Sequence, residues 1–161
     1  LSKMGARLTR SGAEIVRSHV LGQEGEDWFA EHQSGYDRVL VDAPCSGSGT
    51  WRRDPLAKWR LRPKELDAYV TQQTEILRQA SALVKSGGRL IYVTCSLLSR
   101  EGEDQIKKFL AATPGFKAMS AEQLWPQISS RPFPGPGPYL RLSPAKTGTD
   151  GFFIAILEFN A

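Results

Sequence analysis

Two short stretches hold both cysteines of the 161-residue chain: Asp42-Ala43-Pro44-Cys45-Ser46-Gly47-Ser48-Gly49 and Thr94-Cys95-Ser96. Each thiol follows an apolar run, Val39-Leu40-Val41 in one case and Leu90-Ile91-Tyr92-Val93 in the other, and each has a polar neighbour, Asp42 or Thr94. A lone cysteine in such a place is most simply a small buried hydrophobe. Two at equivalent strand ends, with a carboxylate close by, suit a reaction that needs a nucleophile, a base and an acid in one cleft. Two cysteines cannot build a zinc site unaided, and His19 and His32 lack ligand spacing to either, so no metal is expected. A single disulfide is open to neighbouring strands, but nothing in the sequence points to an oxidising compartment, and two free thiols in a cytoplasmic protein are expected.

The elements that must position these thiols follow from periodicity. Val39-Leu40-Val41 reads as a buried strand, with Asp42, Pro44 and Cys45 just beyond its carboxyl end, where open α/β sheets place their ligands. Pro63 suits the first turn of a helix, and Leu66, Tyr69, Val70, Gln73, Ile76, Leu77, Ala80, Leu83 and Val84 recur at spacings of three and four, with Lys85-Ser86-Gly87-Gly88 expected to close it. The strand from Arg89 to Thr94 must then run parallel to the first, through a right-handed crossover. Cys45 and Cys95 are therefore expected at one edge of the sheet, separated by about one strand spacing of 4.8 Å plus loop offset if the strands are neighbours.

Around this unit, Met4 to Gly12 resembles a helix end, residues 15–21 alternate enough for a strand, and residues 26–32 suit a short helix. Ser99 can cap a helix with Glu101, Glu103 and Asp104 in its first turn, where acids complement the dipole. Residues 116–124 suggest a short strand, and the Pro- and Gly-rich 131–138 an ordered loop. Tyr139 to Leu142 and Phe152 to Phe159 read as strands joined through Gly148-Thr149-Asp150-Gly151. The order gives the fold class as α/β, the second half of a doubly wound sheet ending in an antiparallel pair.

Composition bounds the rest. A mean hydropathy of −0.33 describes an ordinary soluble domain, one at most at this length. There is no run of about 18 apolar residues and no basic-then-apolar leader, so neither a membrane span nor a signal peptide is expected. Twenty-one basic against 17 acidic residues leave a net charge of +4, compatible with a polyanionic partner. Trp51-Arg52-Arg53 and Lys58-Trp59-Arg60-Leu61-Arg62 put five cations and two indoles directly after the Cys45 loop, an interleaving that suits single-stranded nucleic acid.

The DAPCSGSG stretch, then Arg52-Arg53 and Lys58-Trp59, then Gly87-Gly88-Arg89-Leu90-Ile91-Tyr92-Val93-Thr94-Cys95-Ser96, then Gly148-Thr149-Asp150-Gly151-Phe152-Phe153, resemble in order the Sun-type RNA cytosine-5 methyltransferases. The resemblance runs along nearly the whole chain. It implies a Rossmann-like class I methyltransferase sheet, of which residues 1–161 would be the C-terminal portion of the catalytic domain. It also implies S-adenosyl-L-methionine as cofactor and RNA as partner, ribosomal RNA ahead of transfer RNA. By the same resemblance Cys95 is the nucleophile that adds to carbon 6 of cytosine, Cys45 assists loss of the carbon 5 proton and release of the adduct, and Asp42 holds the base edge. Asp42, Ala43 and Pro44 would border the cofactor, and Arg52, Arg53 and Lys58 the RNA.

Three departures qualify the resemblance. The glycine-rich strand-to-helix loop and the ribose-binding acid of such enzymes lie upstream of Leu1, as does their N-terminal RNA-binding region. Asp54-Pro55-Leu56 stands where Pro-Asp commonly precedes Lys-Trp. This stretch alone is thus expected to be inactive and to bind S-adenosylmethionine weakly. Rival expectations are a DNA methyltransferase, a non-catalytic RNA-binding or assembly module with the same fold, and thiol redox chemistry between Cys45 and Cys95. The identity of the RNA and the oligomeric state are not encoded in any of these motifs.

Overall fold

The computed structural model describes residues 4–12, 14, 19–20 and 25–160. The chain divides into two compact units, residues 1–31 and 32–161. The first contains helices α1 (Met4–Ser11) and α2 (Gly25–Glu31). Gly12, with φ of 65°, ends α1 in the left-handed conformation that glycine adopts freely. The strand expected over 15–21 falls largely outside the described residues, and His19 and Val20 lie in no strand.

The second unit carries both cysteines. In chain order it contains β1 (Tyr36–Asp42), α3 (Pro55–Arg60), α4 (Pro63–Ser81), β2 (Val84–Thr94), α5 (Glu103–Ala112), β3 (Phe116–Met119), α6 (Ala121–Leu124), β4 (Leu140–Leu142), α7 (Pro144–Thr147) and β5 (Phe152–Phe159). The sheet order is β1-β2-β5-β3, with β4 also on β5. β1 and β2 are parallel neighbours, joined through α4 as the crossover requires. β5 runs antiparallel to β2 and divides its other edge between β3, at Ile156 to Phe159, and β4, at Phe152 to Ile154.

The core forms where β2 and β5 meet the inner faces of α4 and α5. Leu90, Tyr92, Phe153, Leu157, Leu77 and Ile106 are each no more than 1% exposed. Burying a side chain of this size stabilises the fold by about 1.5–3 kcal/mol. Along β2 the buried positions alternate, Gly88, Leu90, Tyr92 and Thr94, and Cys95 continues the opposite, half-exposed parity.

Two local expectations are corrected. The β1 run is not buried among the described residues: it pairs there on one side only, with Val41 enclosed and Leu40 68% exposed. α4 ends at Ser81, and Lys85 to Gly88 belong to β2, where an irregularity shifts the register between Tyr36 and Arg38. After Thr50, Pro55 starts the short helix α3. The short strand expected within 116–124 is β3, which ends at Met119; α6 follows, with Ser120 accepting from the Gln123 N–H as its cap.

Candidate active site

The last backbone rung between β1 and β2 runs from the Ala43 N–H to the Val93 carbonyl (3.0 Å), so both chains leave the sheet at the same edge. The Cys45 loop then folds back across the end of β2, and the Gly49 N–H donates to the Cys95 carbonyl (2.9 Å). This fold-back brings the sulfurs closer than a strand spacing: Cys45 Sγ and Cys95 Sγ are 3.4 Å apart. Both are free thiols and both are half-buried. Thr94, the polar neighbour of Cys95, is instead fully buried, and its hydroxyl has no partner among the described residues.

Burial pushes the Cys45 thiol up to about 12, against the pull of a hydrogen bond with the Gly47 backbone, and the hydrogen bond to Cys95 and the charges of Cys95 and Glu101 push it further. Cys45 therefore holds its proton at neutral pH, and its S–H can donate toward the Cys95 sulfur.

A buried polar network fixes the two cysteine loops to each other. Glu101 is 0% exposed and lies between them. Its Oε1 accepts from the Ser46 N–H (2.8 Å) and from Gln73 Nε2 (3.0 Å), and its Oε2 accepts from the hydroxyls of Ser46 (2.5 Å) and Ser96 (2.6 Å). Ser96 in turn accepts from the Leu98 N–H (3.1 Å) and faces Ser48 Oγ at 3.0 Å, which itself accepts from the Leu97 N–H (2.8 Å). On α4, Gln73 also donates to the Pro44 carbonyl (2.9 Å) and accepts from Gln105 (3.2 Å). Tyr92 hydroxyl donates to the Glu101 carbonyl (2.9 Å); burial, then the charges of Glu101 and Cys45, hold the phenol well above its ordinary range.

Neither Glu101 nor Gln73 stood out in the sequence. Glu101 was expected among the dipole-facing acids of a helix start, and it lies instead in a short turn ahead of α5. Gln73 offered one signal: a polar residue at helical spacing among Val70, Ile76 and Leu77, where a buried amide must find partners.

The third motif closes the site from the other side. Gly151 N–H donates to the Gly49 carbonyl (2.8 Å), and a Cβ placed on Gly49 would lie 2.3 Å from the Gly151 carbonyl oxygen. Arg141 on β4 grips Glu103 through two hydrogen bonds and reaches the Leu97 carbonyl at 3.4 Å. Burial acts to raise Glu103, but the hydrogen bonds and charge of Arg141 carry it below the ordinary carboxylate range.

The remaining expected site residues separate. Asp42 ends β1 exposed, with no partner for its carboxylate among the described residues and no hydrogen bond to either thiol. Ala43 is buried, its N–H spent on Val93, and the Pro44 carbonyl is spent on Gln73. Arg52 (3.5 Å) and Arg53 both pair with Asp150, which is 9% exposed, so the two arginines are tied to the closing turn while most of each side chain stays exposed. Lys58 stands on α3 over the ring of Trp59, 5.9 Å from its centroid, and Trp59 is 81% exposed. Trp51 differs from it in being half-buried. A hollow of about 180 Å³ lies beside Ser46, lined by Ala57, Arg60, Leu61, Glu65 and Tyr69. Among the described residues no cluster of His, Cys, Asp and Glu could hold a metal, and no helix is long and apolar enough to cross a membrane.

Residues 1–158 match the family model described as 16S rRNA methyltransferase RsmB/F. The chain is 37% identical over 151 residues to the probable ribosomal RNA small subunit methyltransferase B of Bacillus subtilis (strain 168), covering 92% of this chain and 33% of that protein. It is 37% identical over 157 residues to ribosomal RNA small subunit methyltransferase B of Salmonella newport (strain SL254), covering 98% and 34%. The solved structure of NSun6 from Pyrococcus horikoshii with SFG superposes with a TM-score of 0.73 at 26% identity, covering 99% of this chain and 38% of that one. The chain thus spans about a third of the length of these curated relatives.

Proposed function

The chain belongs to the 16S rRNA methyltransferase RsmB/F family, and from that premise we propose that it carries the base-reacting part of an enzyme that methylates carbon 5 of cytidine in RNA. Ribosomal RNA is the proposed substrate, with the reaction set in the cytoplasm. The observation that supports this most is the pair of half-buried sulfurs 3.4 Å apart at the carboxyl ends of two parallel strands.

Carbon 5 of cytosine is a poor nucleophile until something adds to carbon 6. In the proposed reaction the Cys95 thiolate forms a bond to carbon 6, and the electron pair of the 5,6 double bond becomes available at carbon 5. S-adenosylmethionine supplies the electrophilic methyl group. After methylation Cys45, its own proton already released to a solvent base, accepts the carbon 5 proton as the thiolate and becomes the thiol. The carbon 5 to hydrogen pair re-forms the double bond, and the bond from carbon 6 to Cys95 breaks. The raised Cys45 thiol suits the proton-accepting role, because a sulfur that holds its proton tightly is a strong base once that proton is lost.

Asp42 suits the base edge at nitrogen 3 and the amino group, because its carboxylate is exposed at the strand end with no partner among the described residues. The Ala43 N–H and the Pro44 carbonyl are already committed, so toward S-adenosylmethionine these two residues are proposed to offer mainly a wall. A relative solved with SFG, an analogue of S-adenosylmethionine, supports that cofactor. The target base must leave its stack to reach Cys95, and Arg52, Arg53 and Lys58 are proposed to face the RNA backbone.

The test is S-adenosylmethionine-dependent appearance of 5-methylcytidine in ribosomal RNA treated with the complete enzyme; a methyl group on any other atom contradicts the reading.

A further inference from the structure

We propose that Glu101 is the positioning residue of this site: its carboxylate fastens the loop after Cys45 to the turn after Cys95 and so sets the distance between the two sulfurs. The proposal deepens the methyl-transfer reading and rests on it for its kinetic consequence.

A carboxylate with no exposed surface costs heavily to bury unless every oxygen is well served. Glu101 has no Lys or Arg partner among the described residues. Its four hydrogen bonds all come from neutral donors: Ser46 N–H, Ser46 hydroxyl, Ser96 hydroxyl and the Gln73 amide. Three of the four belong to the residue directly after Cys45 or directly after Cys95. The fourth comes from a side chain that also holds Pro44, the residue directly before Cys45. The carboxylate therefore grips both thiol-bearing segments at once, against the rigid surface of α4. If bulk alone were needed there, an apolar side chain would fill the space without the cost of burial. A fully satisfied polar network instead fixes one geometry.

Glu101 also acts on the thiols through space. Its charge is among the causes that push Cys45 upward, after burial and the contact with Cys95. The same residue that sets the spacing thus helps keep Cys45 protonated, which suits the proton-carrying role.

Glu101→Gln replaces one acceptor oxygen by an amide that must face existing donors. A misplacement of about 1 Å costs on the order of 100-fold in rate. In the complete enzyme Glu101→Gln is expected to lower kcat about 100-fold while KM for RNA stays within about twofold, and Glu101→Asp to recover part of the loss. A second measurement needs neither RNA nor cofactor. Diamide accepts two electrons and two protons from a thiol pair and is reduced to the hydrazine, leaving a Cys45–Cys95 disulfide that peptide mapping detects as a loss of two hydrogens. Its rate of formation reports the sulfur spacing and is expected to fall at least about tenfold in Glu101→Gln. Ser96→Ala, which removes one of the four bonds, serves if Glu101→Gln does not fold, with a fall of about threefold expected. A folded variant with unchanged disulfide rate and unchanged kcat overturns the proposal. A slowed disulfide together with full methylation by Cys95→Ala would instead keep the positioning role and overturn the proposed chemistry.

Discussion

Gly151 presses directly on Gly49: the Gly151 N–H donates to the Gly49 carbonyl at 2.8 Å, and a Cβ on Gly151 would lie 2.6 Å from Gly49 Cα. Two motifs a hundred residues apart are joined at this crossing, and no side chain fits between them. Gly151→Ala is expected to destabilise the fold by about 1–3 kcal/mol, read as a lower denaturant midpoint. Gly5→Ala is the control of opposite sign. Gly5 lies inside α1 with nothing within 4 Å of its Cβ position, so alanine there gains about 1 kcal/mol of helix propensity.

Arg53 and Lys58 are both cations of the same basic stretch, and they should respond differently to removal. Arg53 pairs with the buried Asp150, so Arg53→Ala leaves a carboxylate short of a partner and should lower stability by about 1–2 kcal/mol, reduced because the arginine itself is largely exposed. Among the described residues Lys58 has only the Trp59 ring beneath it. Lys58→Ala should leave unfolding unchanged and weaken RNA binding by the complete enzyme, reducing the slope of log K against log salt by about 1. Equal effects of the two substitutions on stability would contradict this division.

Cys45, raised to about 12 chiefly by burial, makes the fold sensitive to alkali. Below the ordinary thiol value of about 9 both folded and unfolded Cys45 are protonated, and the folded form keeps its full advantage. Between about 9 and 12 the unfolded chain holds fewer protons than the folded one, so stability falls as pH rises. Denaturant midpoints from pH 8 to about 11 should decline in the parent and decline less in Cys45→Ala. Glu103 works in the other direction. Its lowered carboxyl contributes stability above the ordinary carboxylate value that is lost as pH falls through the folded one, and Glu103→Gln should flatten the acid limb.

Much of this site was legible because hydrophobic periodicity fixes which strand ends share an edge. Val39 to Val41, the stripe on α4 and Leu90 to Val93 were enough to bring Cys45 and Cys95 together. The sub-strand spacing was not legible, since it depends on the Cys45 loop folding back to hydrogen-bond Cys95, a backbone event with no side-chain signature. Glu101 escaped for a related reason. Acids at a helix start and acids inside a polar network have the same sequence neighbourhood, and only the partners distinguish them. Arg52 and Arg53 looked like free cations because their partner, Asp150, lies about a hundred residues away. The apolar character of β1 was correctly strand-forming but could not reveal that, among the described residues, it pairs on one side only.

Covalent trapping tests the central claim most directly. A cytosine bearing fluorine at carbon 5 cannot lose that substituent as a proton, so the adduct at carbon 6 should persist. With RNA containing 5-fluorocytidine and S-adenosylmethionine, the complete enzyme is expected to give a denaturant-stable protein–RNA band that is absent in Cys95→Ala and present in Cys45→Ala. A band that survives in Cys95→Ala and disappears in Cys45→Ala would contradict the assignment of the two sulfurs.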